Sequence, residues 1–157
     1  MPVIIEEPTL TRRLEQSVVT LLSAMDDLSS VTIKEGVTDG TIETPYISVV
    51  ANRDGERVRD SGAYDCTVRI QLFTTAGEGP KASTDAELLK YDAAIEEMLF
   101  EQNMSDLADI ITANAQDTRI DAVFGPTSEA TEFSAVQRNI TYQFSCVAMR
   151  LEPVAAP

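Results

Sequence analysis

The residues that most often do chemistry are scarce in this chain. Its 157 residues contain no His, which removes the commonest general base, the usual Ser-His and Cys-His nucleophile pairs and the most frequent metal ligand. Ser83 lies two residues from Lys81, the one Ser-Lys pairing of interest, but a Ser at a helix start is an ordinary cap. Gly77-Glu78-Gly79-Pro80-Lys81 is glycine-rich yet lacks the Gly-Lys-Ser/Thr ending of a nucleotide loop, and Glu78 would repel phosphate, so it reads as a turn. Cys66 and Cys146 each fall on the apolar phase of a strand-like alternation, where a thiol behaves as a small buried hydrophobe. The expectation is reduced core cysteines, with a cross-strand disulfide as the lesser alternative and no third soft ligand for a metal. No cofactor is called for.

What remains is charge. Lys and Arg number 12 against 26 Asp and Glu, a formal net charge of -14, which argues against a nucleic-acid or anionic-membrane binder. Between Asp85 and Asp117 nine acids face one base, Lys90. Asp92 with Glu96, and Glu97 with Glu101, are like-charge pairs at i,i+4 spacing, each costing a few tenths of a kcal/mol (roughly 0.2–0.5) in an isolated helix. A solvated face is one reading of these four carboxylates and a docking face another; no Asp-x-Asp-x-Asp-Gly calcium loop is present. The opposite balance appears in Arg53, Asp54, Glu56, Arg57, Arg59 and Asp60, a mixed-charge tip able to pair with an acidic neighbour. A basic tip and an acidic helix on one protomer suit a head-to-tail ring, in which two different patches meet.

These residues must be positioned by a small set of elements. Leu10, Leu14, Val18, Leu21, Leu22, Met25 and Leu28 recur at helical spacing and predict an amphipathic helix from Leu10 to Leu28, capped by Thr9 or Thr11. Residues 1–8 then form an arm, whose Val3, Ile4 and Ile5 suit an edge strand of this domain or a contact with a neighbouring subunit. Thr32-Ile33 is a weak strand and Tyr46 to Ala51 a clear one, separated by a loop from Gly36 to Pro45. Asp54-Gly55 is a two-residue hairpin signal and Ser61-Gly62 a second break, so residues 52–62 read as a hairpin tip or loop. Tyr64, Cys66, Val68, Ile70 and Leu72 alternate with polar residues as a strand buried on one face.

Thr84-Asp85-Ala86-Glu87 fits a capping box and opens a helix to about Gln102, with Leu88, Tyr91 or Asp92, Ile95, Met98 and Leu99 inward. Ser105 can cap a short third helix bearing Leu107, Ile110 and Ile111. Arg119 to Phe124 is a candidate strand ending at Gly125-Pro126. Phe133 to Leu151 is a long extended stretch with Val136, Ile140, Tyr142, Phe144, Cys146 and Ala148 on one face. Strands grouped by hairpins predict a single α+β domain over 9–151, an antiparallel or mixed sheet packed on two main helices plus a short third, with a flexible tail at 152–157. No run reaches the roughly 18 to 20 apolar residues of a membrane span and the start lacks the basic region of a secretory signal, so a cytoplasmic protein is expected.

The leading helix, the strand Tyr46-Ile47-Ser48-Val49-Val50 running through a charged loop into Tyr64-Asp65-Cys66-Thr67-Val68-Arg69-Ile70-Gln71-Leu72, the helix Thr84 to Gln102 and the final strand Asn139-Ile140-Thr141-Tyr142-Gln143-Phe144-Ser145-Cys146 together resemble the tail terminator and tail-completion proteins of long-tailed bacteriophages. The resemblance covers residues 9–151 in size and element order and carries no residue signature. It implies a non-enzymatic virion subunit, assembled in the host cytoplasm into a ring, usually hexameric. That ring would stop the tail tube at its head-proximal end and meet the neck connector. It further implies that Asp92, Glu96, Glu97 and Glu101 flank a channel through which DNA passes without specific binding. Neck and head-tail joining proteins share this logic. The alternative from another class is an acidic interaction module or DNA mimic, although its charge would be spread more evenly than the cluster at Asp85 to Asp117. A carboxylate-metal enzyme lacks the ligand spacing.

Overall fold

The computed structural model describes residues 10–36, 44–56, 59, 63–76, 82–101, 109, 118–133 and 137–150; for Phe100, Glu101, 118–133 and Arg150 it describes the backbone alone. The arm at 1–8, the tail at 152–157 and most of the third-helix segment lie outside the described residues, although Asp109 is helical.

Helix α1, Leu10–Ser23, buries Leu10, Leu14, Val18 and Leu22 on one stripe. It is shorter than expected. Met25 turns extended (φ -82°, ψ 122°), and Asp26–Leu28 forms a separate single 3-10 turn that still buries Leu28. The periodic apolar stripe therefore spans two pieces, because the turn delivers Leu28 to the core without continuing the α-helix. Strand β1, Thr32–Glu35, then pairs parallel to β2, Tyr46–Glu56, in the register Thr32↔Tyr46 to Glu35↔Val49. β2 returns antiparallel as β3, Ala63–Thr75.

Here the hairpin expectation is corrected. Asp54-Gly55 is not the turn: Arg53 pairs with Cys66 and Gly55 with Asp65, so Asp54 is the extra residue of a bulge inside β2. Its carboxylate accepts the Thr67 hydroxyl at 2.6 Å, a cross-strand bond that holds the bulge in the ladder. The reversal falls between Glu56 and Ala63 instead.

The Thr84 capping box is present in full: the Glu87 amide donates to the Thr84 hydroxyl at 3.2 Å, and the Thr84 amide donates to the Glu87 carboxylate at 3.1 Å. Those bonds, with the backbone one first, hold the Glu87 carboxyl below the usual carboxylate range. Helix α2 runs Asp85–Glu96 and widens into a π-helical turn, Glu97–Glu101. Leu88, Tyr91, Ala94, Ile95, Met98 and Leu99 face inward, so Tyr91 and not Asp92 holds the core position.

Two long strands complete the sheet. β4, Thr118–Phe133, runs straight through Gly125-Pro126, where the sequence reads a stop, and Phe133 closes β4 instead of opening the last strand, β5, Gln137–Arg150. Proline is admitted because β4 is an edge: the order is β1-β2-β3-β5-β4, and β4 slips register against β5 at Ile120/Ala122, Phe124/Thr127 and Ala130/Glu132. Three register slips along an edge strand also discourage edge-to-edge pairing.

The product is an α+β sheet of five mixed strands with both helices on one face. Cross-strand rows such as Val49–Ile70–Tyr142 and Ala51–Val68–Phe144 line that face, and Leu14, Val18, Ile95 and Leu99 close over them. The opposite face carries Thr67, Arg69, Gln71, Thr141, Gln143 and Ser145. Its apolar part includes Val50, Val147, Met149 and the Tyr46–Phe73 pair, with ring centroids 6.3 Å apart.

Candidate functional site

Two surfaces follow from this frame. The first is the β2–β3 end. Arg53 sits just before the bulge, exposed, with its guanidinium 4.8 Å from the Tyr64 ring centroid, an arrangement in which the ring positions the cation. Asp54 and Glu56 are exposed on the same strand end, and Arg59 is exposed beyond it. Arg57 and Asp60 lie outside the described residues. The structure thus gathers four of the six tip residues at one end of the sheet.

The second surface is α2. Asp85 and Glu87 occupy its first turn, where they complement the helix dipole, and the Asp85 carboxylate pairs with Arg138 of β5. Asp92 is half-buried and accepts the Tyr142 hydroxyl. Burial first, then Asp92, then Glu96 push the Tyr142 phenol far above its ordinary range, and both carboxylates are half-buried. Glu97 is exposed, and Glu101 closes the π-helical turn. The four carboxylates therefore do not form one solvent-facing row. One of the two i,i+4 repulsions is offset by a hydroxyl donor, and the other falls across a turn of π spacing.

The first turn of α2 lies at the far end of the sheet from the tip, and Asp92, on Tyr142 opposite Ile70, lies about midway. Arg138, which holds Asp85, pairs with Thr74; Arg53 pairs with Cys66; the eight-residue interval along β3 is roughly 26 Å.

Cys66 and Cys146 are register partners on adjacent strands, each 1% exposed, and both are free thiols. Their mutual hydrogen bond, followed by burial, holds the Cys146 thiol well above the ordinary range, which keeps it a packing group and not a nucleophile. Among the described residues no group of three or more His, Cys, Asp or Glu could hold a metal ion. No helix among them is long and apolar enough to cross a membrane.

Sequence reasoning missed Glu15. It lies on the flank of the α1 stripe, three residues before Val18 and seven before Leu22, is 7% exposed, and its Oε2 accepts the Ala51 amide of β2 at 2.9 Å. The cause is topological. β1 ends at Glu35, so beyond Val49 the outer edge of β2 has no strand neighbour among the described residues, and the carboxylate replaces the missing carbonyl. Burial raises the Glu15 pKa; the Ala51 amide and Arg12, 3.8 Å away, oppose the rise. Arg12 also reaches Glu35 at 2.8 Å, tying α1 to the end of β1. A cavity of about 330 Å³ opens beside this edge, lined by Leu10, Thr11, Ala51, Asn52 and Arg53. No period-based reading could have found it, because it exists only where a short strand leaves a longer one uncovered.

Set against known proteins, the chain matches no protein-family model and no curated protein.

Proposed function

We propose that this protein is a structural subunit of a bacteriophage virion that assembles head to tail into a ring, capping the head-proximal end of the tail tube and joining it to the neck connector. The observation that supports the reading is two unlike patches on one sheet: a mixed-charge tip bearing Arg53 and Arg59 with Asp54 and Glu56, and an acid-rich helix whose first turn, at Asp85, is some 26 Å away by strand spacing. Heterologous ring contacts need two unlike patches at different places on a protomer, and charge complementarity between them sets register. The acidic character also suits a ring around DNA, since a net charge of -14 disfavours adhesion of the polyanion passing through. In this reading the partners are other copies of the chain, the tail tube protein and the connector, and the subunit performs no catalysis.

The test is charge reversal at the tip. Arg57→Glu combined with Arg59→Glu is expected to abolish assembly while the circular dichroism spectrum and melting temperature stay those of the wild type. Unchanged oligomerisation would refute the tip as an interface and, with it, the head-to-tail arrangement.

A further inference from the structure

β1 ends the strand order of the sheet, and its outer edge adjoins a groove against α1. The Thr32 amide donates to the Pro45 carbonyl at 3.2 Å and the Gly36 amide donates to the Val49 carbonyl at 2.8 Å, so the even-numbered residues here direct their backbone groups to β2. Strand alternation turns the amides and carbonyls of Ile33 and Glu35 the other way, outward from the sheet. Among the described residues no backbone group meets them there.

Beside that edge lies a cavity of about 470 Å³. Arg12, Gln16, Val19 and Thr20, on one face of α1, form its helix wall, and Ile33 and Glu35 form its strand wall. Val19 and Ile33 are half-buried and pack against the core, which gives the groove an apolar floor. Outward backbone groups next to a side-chain groove are the arrangement that accepts an added strand, in which the main chain supplies affinity and alternate side chains enter the groove.

Charge selects the occupant. On the α1 side the groove is balanced, because Arg12 reaches Glu35 at 2.8 Å. Lys34 stands on the other face of the sheet, in register with Ser48, and is exposed. A lysine on a short edge strand deters indiscriminate pairing. It also disfavours a second copy of this chain: antiparallel pairing of two β1 edges through both outward residues brings Lys34 directly opposite its own copy, and like charges so placed are destabilising. An acidic residue in that position turns repulsion into attraction. Charges more than about 8 Å away are largely screened at physiological salt, so Lys34 acts locally despite the chain's net charge of -14. We propose that the β1 edge accepts an extended segment of a partner protein as a sixth, antiparallel strand, with an acidic residue opposite Lys34 and an apolar residue on either side of it entering the α1 groove over Val19 and Ile33. The site is separate from the charged tip and from α2, so this proposal stands or falls independently of ring assembly.

Two fluorescein-labelled peptides, Thr-Val-Glu-Val-Thr and Thr-Val-Lys-Val-Thr, test it by anisotropy with the full-length protein. The glutamate peptide is expected to bind saturably and the lysine peptide about fivefold or more weakly. Lys34→Glu, an exposed substitution, is expected to reverse that order. Glu35→Pro removes one outward amide while leaving the β1–β2 bonds in place, since an edge strand admits proline where its amide faces away from the ladder. It is expected to abolish binding, whereas Glu35→Ala, which keeps the amide, retains it. Should Glu35→Pro fail to fold, the Lys34→Glu reversal decides. No saturable binding of the glutamate peptide, equal affinity for the two peptides, or unchanged binding by a folded Glu35→Pro protein would overturn the proposal. So would a lower mass for unliganded Glu35→Pro in light scattering, which would assign the edge to a second copy of the chain.

Discussion

Replacing Glu15 separates the two jobs its carboxylate does. The residue is 7% exposed and is the acceptor for the Ala51 amide at an edge that β1 does not reach. Glu15→Ala leaves that amide buried without a partner, a loss of about 1–3 kcal/mol, and removes one methylene of buried stem, about 0.8 kcal/mol more. The expected total of about 2–4 kcal/mol lowers the melting temperature by roughly 5–15 °C at this chain length. Glu15→Gln keeps an oxygen acceptor and discards the charge. Burial raises the folded-state pKa of Glu15 above its unfolded value, so its contribution to stability is fully present below the unfolded pKa and is lost as pH rises through the folded one. The glutamine variant should therefore equal or exceed the wild type at pH 7, and the wild type should gain on it as pH falls towards 4. Urea unfolding of the three proteins between pH 4 and 8 measures both effects. A glutamine variant as unstable as alanine at pH 7 would refute the reasoning, since the charge facing Arg12, and not the hydrogen bond, would then hold the helix to the sheet.

Three further outcomes follow from the packing. Ile140→Asp puts a carboxylate on the buried sheet face beside Leu72 and should cost 4 kcal/mol or more (about the upper end for single substitutions), read as loss of soluble, cooperatively melting protein; a normally folded variant would mean the faces of β5 are reversed. Thr84→Ala removes half of the capping box and should cost about 1 kcal/mol in urea unfolding, with no change in oligomeric state. Asp92→Ala should destabilise more than Tyr142→Phe, by about 1 kcal/mol, because it strands a buried phenol hydroxyl whereas the half-exposed Asp92 can turn to water; equal losses in parallel thermal melts would contradict that asymmetry.

The elements legible in the sequence were those whose own periodicity decides their burial. The alternation from Tyr64 to Leu72 and from Ile140 to Ala148, the Leu10–Leu22 stripe and the Thr84 capping box are local patterns, and each stands where its pattern places it. The misread positions are those where tertiary context overrides a local signal. Asp54-Gly55 is strong hairpin chemistry, but the pairing of Arg53 with Cys66 continues the ladder past it and turns the same two residues into a bulge. Gly125-Pro126 reads as a terminator because a central strand could not admit it; an edge strand can, and whether a strand is at the edge is a property of the whole sheet. Glu15 was invisible for a related reason: a glutamate on a helix reads as solvated until the length difference between β1 and β2 creates a buried amide for it to accept. Of the candidate surfaces, the charge of the tip was legible, while the inward turn of Asp92 towards Tyr142 depended on the packing of α2 over β5.

The proposed assembly is a closed ring of copies of this chain joined through unlike surfaces. Light scattering of the purified protein across a concentration series, with negative-stain imaging of the same sample, addresses it directly. A closed ring gives a mass that is a fixed multiple of the 17.1 kDa protomer and images with a central hole; a monomer at every concentration, or open filaments in place of rings, would refute the proposed assembly.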